Sequence, residues 1–149
     1  MEGRVASVWK PMALLRHEPI GTASHYDWLL SRVADCGDHD ARVARTYRCH
    51  TRPDTTTPFE ISLERVDDHR WFYLILAHIH ELSDHRGLVT PIATGHWRDA
   101  EEPTTTASDA RAQETSELIE VRFAPNGVVR ACRIINESRL ISVLEAADR

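Results

Sequence analysis

Val121-Arg122-Phe123-Ala124-Pro125-Asn126-Gly127-Val128-Val129-Arg130 sets two β-prone segments on either side of a Pro-Asn-Gly turn. Asn-Gly readily supplies the positive φ angles of a tight hairpin turn, so the stretch predicts two antiparallel strands, Leu118–Phe123 and Val128–Ile135. The same pattern continues outward. Leu140–Leu144 follows, and Met12–Arg16, Tyr26–Arg32, Val43–Cys49, Ile61–Val66, Trp71–Ile79 and Leu88–Ala93 precede. Each is rich in β-branched, aromatic or leucine residues and is bounded by Gly, Pro, Asp or Thr. Many short strands with few helical patterns predict a mainly β chain: a single compact β-barrel domain over residues 1–149 with few short helices. Glu101–Gln113 carries Pro103-Thr104-Thr105-Thr106 and lacks apolar periodicity, so it is expected to be a mobile surface loop; Thr55-Thr56-Thr57-Pro58 reads the same way.

The chemistry concentrates earlier in the chain. Leu15-Arg16-His17-Glu18-Pro19 and Ser24-His25-Tyr26-Asp27-Trp28 bring two imidazoles and a carboxylate close together. On a strand, His25 and Asp27 at i and i+2 project from one face, and a turn at Gly21 can fold His17 back toward them. Two neutral imidazoles and one carboxylate suit Mn²⁺, Fe²⁺ or Zn²⁺, with coordination positions left open for water or substrate. The plainer alternative is a set of scattered, solvated histidines. A second concentration, His78, His80, Glu81, Asp84 and His85, ends the most apolar predicted strand. It reads as a solvated strand end, as a separate metal site, or as a contribution to the first group. Asp67-Asp68 is either an exposed turn or a carboxylate that orients the His69 ring. Trp28 and Trp71 lie inside apolar runs and are read as core rather than as base-stacking platforms.

His17…His25-Tyr26-Asp27-Trp28-Leu29-Leu30, Arg45-Thr46-Tyr47, Val66-Asp67-Asp68-His69-Arg70-Trp71-Phe72-Tyr73, Arg86-Gly87-Leu88-Val89 and Thr94-Gly95-His96-Trp97 together resemble the 3′-phosphoesterase domain of bacterial end-joining DNA ligase D, over residues 12–98. The resemblance implies that His17, His25 and Asp27 hold Mn²⁺, with Zn²⁺ or Fe²⁺ as alternatives, and that His69 and Tyr73 are the catalytic groups on the scissile phosphate. It also implies DNA or RNA/DNA 3′ ends as substrates and an end-joining ligase as a partner. The chain departs from the family where an arginine is expected two residues after the aspartate, at Leu29, and eight residues before His69, at Ile61. The gap between His17 and His25 is two residues longer, and the family's N-terminal arm is absent or truncated. Arg52 stands near a family lysine. Arg16, Arg48, Arg52, Arg70 and Arg86 are the basic residues nearest the site in sequence, with Arg52 and Arg70 the candidate phosphate-binding residues, since a planar guanidinium can donate two parallel hydrogen bonds to an anion; pairing with surface acids is the alternative for each.

Composition sets limits on these readings. With 149 residues, 42% of them hydrophobic, the chain supports one self-sufficient core and is short for two. A net charge of −5 excludes a generally basic nucleic-acid coat, so any contact with DNA must rest on a local patch and a bound cation. Cys36, Cys49 and Cys132 are odd in number and lack CxxC spacing, which fits reduced, buried thiols in a cytoplasmic protein. No long apolar run or basic-then-apolar leader points to a membrane or to secretion.

These observations lead to the expectation of a metal-dependent phosphoesterase, a hydrolase of DNA-repair type that removes 3′-phosphate or a 3′-ribonucleotide. The alternative is a catalytically silent β-barrel module that binds nucleic-acid ends or a repair protein; a third reading is an unrelated small β-barrel that binds a small molecule, with the motif matches coincidental. Loss of the arginine at Leu29 favours the alternative, whereas retention of His17, His25, Asp27, His69 and Tyr73 opposes it.

Overall fold

A computed structural model describes residues 7–54, 60–83, 86–101, 115–124 and 127–143. Along these residues run β1 (Lys10–Glu18), β2 (His25–Ser31), β3 (Ala44–Cys49), β4 (Glu60–Ser62), β5 (Glu64–His69), α1 (Trp71–Leu74), β6 (His80–Glu81), β7 (Leu88–Asp99), β8 (Ser116–Phe123), β9 (Val129–Ile135) and β10 (Arg139–Val143). The chain is mainly β. All strands belong to one antiparallel sheet in the order β4-β10-β9-β8-β7-β1-β2-β3-β5, with β6 paired to β7. Hydrogen bonds do not close this sheet into a barrel. Its two end strands, β4 and β5, are nevertheless consecutive in the chain, joined at Leu63, whose N–H donates to the Ser138 carbonyl at 2.8 Å.

The hairpin expected around Asn126-Gly127 is present as the β8/β9 pair, with Arg122 opposite Val129 and Ile119 opposite Cys132. Gly127 adopts φ +71°, and its N–H donates to the Phe123 carbonyl at 3.1 Å, a wider connection than a two-residue turn. Pro125 and Asn126 lie outside the described residues, as do residues 55–59 and 102–114, which include nearly all of the two expected loops.

Period-two alternation gives the sheet two apolar faces. On one, Met12, Leu14, Trp28, Leu30, Tyr47, Trp97, Ile119, Val121, Ile134 and Leu140 make the main core. On the other, Ala13, Leu15, Leu29, Ala44 and Val89 meet Trp71, Leu74 and Leu82 in a second core. Covered on both sides, β2 is buried at every position except Tyr26, which is intermediate. Both tryptophans expected in the core are there, Trp28 fully and Trp71 nearly so.

The second core explains the clearest departure from expectation. Trp71–Ile79 does not form a strand: residues 71–74 are a single helical turn, and the chain then runs irregularly to β6. The Trp71 and Phe72 N–H groups donate to the carbonyls of Ala41 and His39 at 2.8 and 3.0 Å, which ties the turn across the sheet. Trp71 and Leu74, three residues apart, then bury together against it. The apolar run therefore roofs the sheet instead of extending it.

Candidate metal centre

The β1/β2 hairpin assembles the first three residues. Its register sets His17 directly opposite His25, and Leu15 opposite Asp27, so both imidazoles and the carboxylate share the face of the second core. Gly21, at φ +89°, lies in the intervening turn, a conformation that only glycine adopts without strain. His17 Nδ1 lies 3.2 Å from His25 Nε2 and 4.0 Å from Asp27 Oδ2, and His25 Nε2 lies 3.3 Å from Asp27 Oδ1. His25 and Asp27 are buried, at 7% and 5% exposure, whereas His17 opens toward solvent.

These separations fit a bound cation. Donor atoms at about 2.0–2.2 Å from a common ion stand about 3.0–3.4 Å apart in octahedral or tetrahedral arrangements; the His17–His25 and His25–Asp27 Oδ1 distances match, whereas the 4.0 Å from His17 is to the other carboxylate oxygen, Oδ2, so a common ion requires the three groups to draw together. Asp27 Oδ1 is sealed from solvent and makes no hydrogen bond, even though His25 Nε2 is within ion-pair distance of it; the two atoms approach without donor geometry. A buried acceptor left in this way costs free energy unless a cation shares it. At 3.3 Å from His17 Nε2 the neighbour is the Arg86 carbonyl, which can only accept, so the proton sits on Nε2 and the Nδ1 lone pair faces the group. Burial pushes the His25 pKa down; Asp27 opposes that shift, while Arg48, His17 and His50 add to it. His25 is thus held neutral, as a ligand must be. His17, His25 and Asp27 could hold a metal ion, and their two nitrogens and one oxygen suit Mn²⁺, Fe²⁺ or Zn²⁺.

His69 reaches the same carboxylate from β5. The pairs Ala44–His69 and Thr46–Val66 leave an extra residue in β5, and this bulge turns the His69 ring so that Nε2 is 3.7 Å from Asp27 Oδ2. Its Nδ1 lies 3.1 Å from the Asp67 backbone carbonyl. The ring is therefore oriented by a peptide oxygen and not by a carboxylate of Asp67-Asp68; the Asp68 carboxylate pairs instead with Arg32 and Arg65. Tyr73 on α1 stacks edge-on with His69, ring centroids 5.7 Å apart, and Arg70 donates to its hydroxyl at 3.5 Å.

A cavity of about 570 Å³ opens over this group, lined by Leu15, Val66, Leu82 and Val89, by Arg42, Arg48, Arg70 and Arg86, and by Asp67, His69 and Tyr73. Of the two candidate phosphate-binding residues, Arg70 lines it, although its guanidinium is shared with Asp40 at 2.9 Å. Arg52 is not part of this wall and donates twice to Asp54. Of the arginines nearest the candidate site in sequence, Arg48 and Arg86 also line the cavity and Arg16 does not; sequence reasoning missed Arg42. Leu29 is fully buried in the second core beneath the metal group, so an arginine at that position would point into apolar packing and not at an anion.

Of the second histidine concentration, His80 reaches the candidate catalytic Tyr73. The His80 ring packs on Phe72 and Tyr73 at 5.0 and 6.0 Å, His78 is exposed, and Asp84 and His85 lie outside the described residues. All three cysteines are free thiols, and burial pushes Cys49 up to about 12 and Cys132 to about 11, which makes both inert as nucleophiles. Among the described residues no helix is long and apolar enough to cross a membrane. Comparison of the chain with protein-family models, with curated proteins and with solved structures finds no match.

Proposed function

We propose that this chain is a metal-dependent phosphoesterase acting at nucleic-acid 3′ ends, on DNA or RNA/DNA, with Mn²⁺ as the preferred ion. One observation carries the reading: in a chain of net charge −5, a group able to hold a divalent cation opens directly into a cavity walled by four arginines. That local field attracts a phosphate ester where the protein as a whole repels one. The sequence resemblance contributes the 3′ end and the ligase association.

A bound divalent ion would polarise a phosphoryl oxygen and acidify a water molecule. The chain's own groups supply the rest. His17, His25 and Asp27 would hold the ion, the first positioned by its Nε2–H, which donates to the Arg86 backbone carbonyl. His69 commits Nδ1–H to the Asp67 carbonyl and keeps Nε2 facing the reacting centre, where it can hold or deliver a proton. Tyr73 and Arg70 position the phosphate oxygens from the same side. Leu15, Leu82 and Val89 supply an apolar share of the lining, which lowers the local dielectric and strengthens each of these charge interactions.

The test is a primer-template carrying a 3′-phosphate or one terminal ribonucleotide, incubated with Mn²⁺. Wild-type protein should trim both, and His69→Ala should slow the reaction by roughly two to three decades while Mn²⁺ still binds. Absence of turnover by wild type with Mn²⁺ demonstrably bound would replace this reading with the silent binding module.

A further inference from the structure

The register of the sheet puts one arginine in a singular place. Arg48 on β3 lies between two carboxylates, Asp27 directly opposite it on β2 and Glu64 directly opposite it on β5, on the face that carries the metal group. Opposite charges set so are expected to pair, yet Arg48 forms an ion pair with neither, and the Asp27 carboxylate is turned toward His17, His25 and His69. The Arg48 Nε is buried and has no hydrogen-bond partner. Arg32, Arg45, Arg52, Arg65, Arg70 and Arg98 each hold a carboxylate at 2.7–3.2 Å, and Arg42 and Arg86 donate to the Asp68 and Ser83 backbone carbonyls. A half-buried guanidinium left without an anion, in a chain with more acids than bases, is costly unless an anion arrives from outside.

Its location says what kind of anion. A second cavity, walled by Ile20, Thr22, Ala23, His50 and Glu64, adjoins the first, and only His17, Arg48 and Arg86 line both. Arg48 therefore stands at the waist between two hollows, beside the ligand carboxylate. Arg86 is already engaged with the Ser83 carbonyl and hydroxyl. We propose that Arg48 is the residue that grips the phosphate of a strand lying across both cavities, and so determines that this site takes phosphate esters. The inference rests on the phosphoesterase reading of the same site, which it deepens. Arg48 offers a planar fork whose donors are unspent, and the metal group beside it would hold the same phosphate from the other side.

The experiment measures binding and not turnover. A fluorescent single-stranded oligonucleotide ending in a 3′-phosphate is titrated by anisotropy in chelator, across a range of salt concentrations, with wild type, Arg48→Gln and Arg48→Lys. Arg48→Gln should bind roughly ten- to hundredfold more weakly, and its log K against log salt slope should be shallower by about 0.7, the loss of one phosphate contact. Arg48→Lys should keep the slope, since the charge remains, but lose affinity with the fork. Mn²⁺ affinity, read by calorimetry, should hold or tighten in Arg48→Gln, because a positive charge beside the ligands has been removed. Unchanged oligonucleotide affinity in Arg48→Gln would overturn the proposal, and so would joint loss of oligonucleotide and Mn²⁺ binding, which would make Arg48 a structural support. Failure to hydrolyse the 3′-phosphate in Mn²⁺ would overturn the proposed reaction and leave the binding result for Arg48 intact.

Discussion

Replacing Asp27 with asparagine should separate the cost of the metal centre from its benefit. Asp27 is nearly sealed from solvent, is ringed by three imidazoles at 3.3, 3.7 and 4.0 Å, and leaves Oδ1 without a hydrogen bond. An unsatisfied buried polar atom costs about 1–3 kcal/mol, and more when charged. Asp27→Asn removes the charge and keeps the shape, so the metal-free variant should gain about 1 kcal/mol, or about 2–4 °C in Tm for a chain of this length. The loaded protein should respond in the opposite sense. At a hundredfold excess of Mn²⁺ over its Kd, wild type gains about 2.7 kcal/mol by mass action, a rise of about 5–11 °C. The variant, with its only carboxylate ligand gone, should show almost none of it. Scanning calorimetry in chelator and in Mn²⁺ gives all four numbers. A metal-free variant several kcal/mol less stable than wild type would refute the reasoning, since Asp27 would then be holding a protonated imidazole in place. A metal-induced rise of wild-type size would remove Asp27 from the ligand set.

Leu29→Ala should cost about 2–5 kcal/mol in urea unfolding, because the residue is fully buried in the second core, and Leu29→Arg should abolish the cooperative transition; a wild-type midpoint for the arginine variant would mean that the position opens onto the cavity. Since burial depresses the His25 pKa, the unfolded chain takes up that proton first. The stability it contributes is complete above the ordinary histidine value of 6.5 and declines as pH falls below it toward the folded pKa. Metal-free wild type should therefore lose urea resistance between about pH 7.5 and pH 5.5, and His25→Gln should lose less over the same range; equal slopes would contradict the shift.

What was legible in the sequence was local. The Asn126-Gly127 hairpin and the common face of His25 and Asp27 follow from turn chemistry and a side-chain period of two, which act within a few residues. The register that brings His17 opposite His25 follows almost as directly from the turn at Gly21. Trp71–Ile79 was illegible because aromatic and β-branched residues suit a strand and a buried helical turn equally. What decided the outcome was the Ala41 and His39 carbonyls, thirty residues upstream. The bulge that aims His69 and the register that pairs Arg48 with Asp27 are likewise properties of strand pairing, so a candidate phosphate-binding residue chosen by proximity in sequence, Arg52, turned out to serve Asp54.

Residues 60–69 form one stretch that changes partners at Leu63, binding β10 before it and β3 after it. The link between the two ladders is therefore a measured length of backbone: six residues, about 20 Å when extended, from the far rim of the sheet to the His69 imidazole. Because side chains alternate, one residue inserted at Leu63 forces either β4 or β5 to slip by one, and a slip in β5 carries His69 to the opposite face. The turn at residues 19–24 can lengthen without that penalty, since β7 and β3 hold β1 and β2 from their outer sides and an extra residue can loop out between them. Insertion tolerance should thus differ sharply between the two connections, with the short one keeping the metal ligands together and the continuous one acting as the gauge that sets His69 against them.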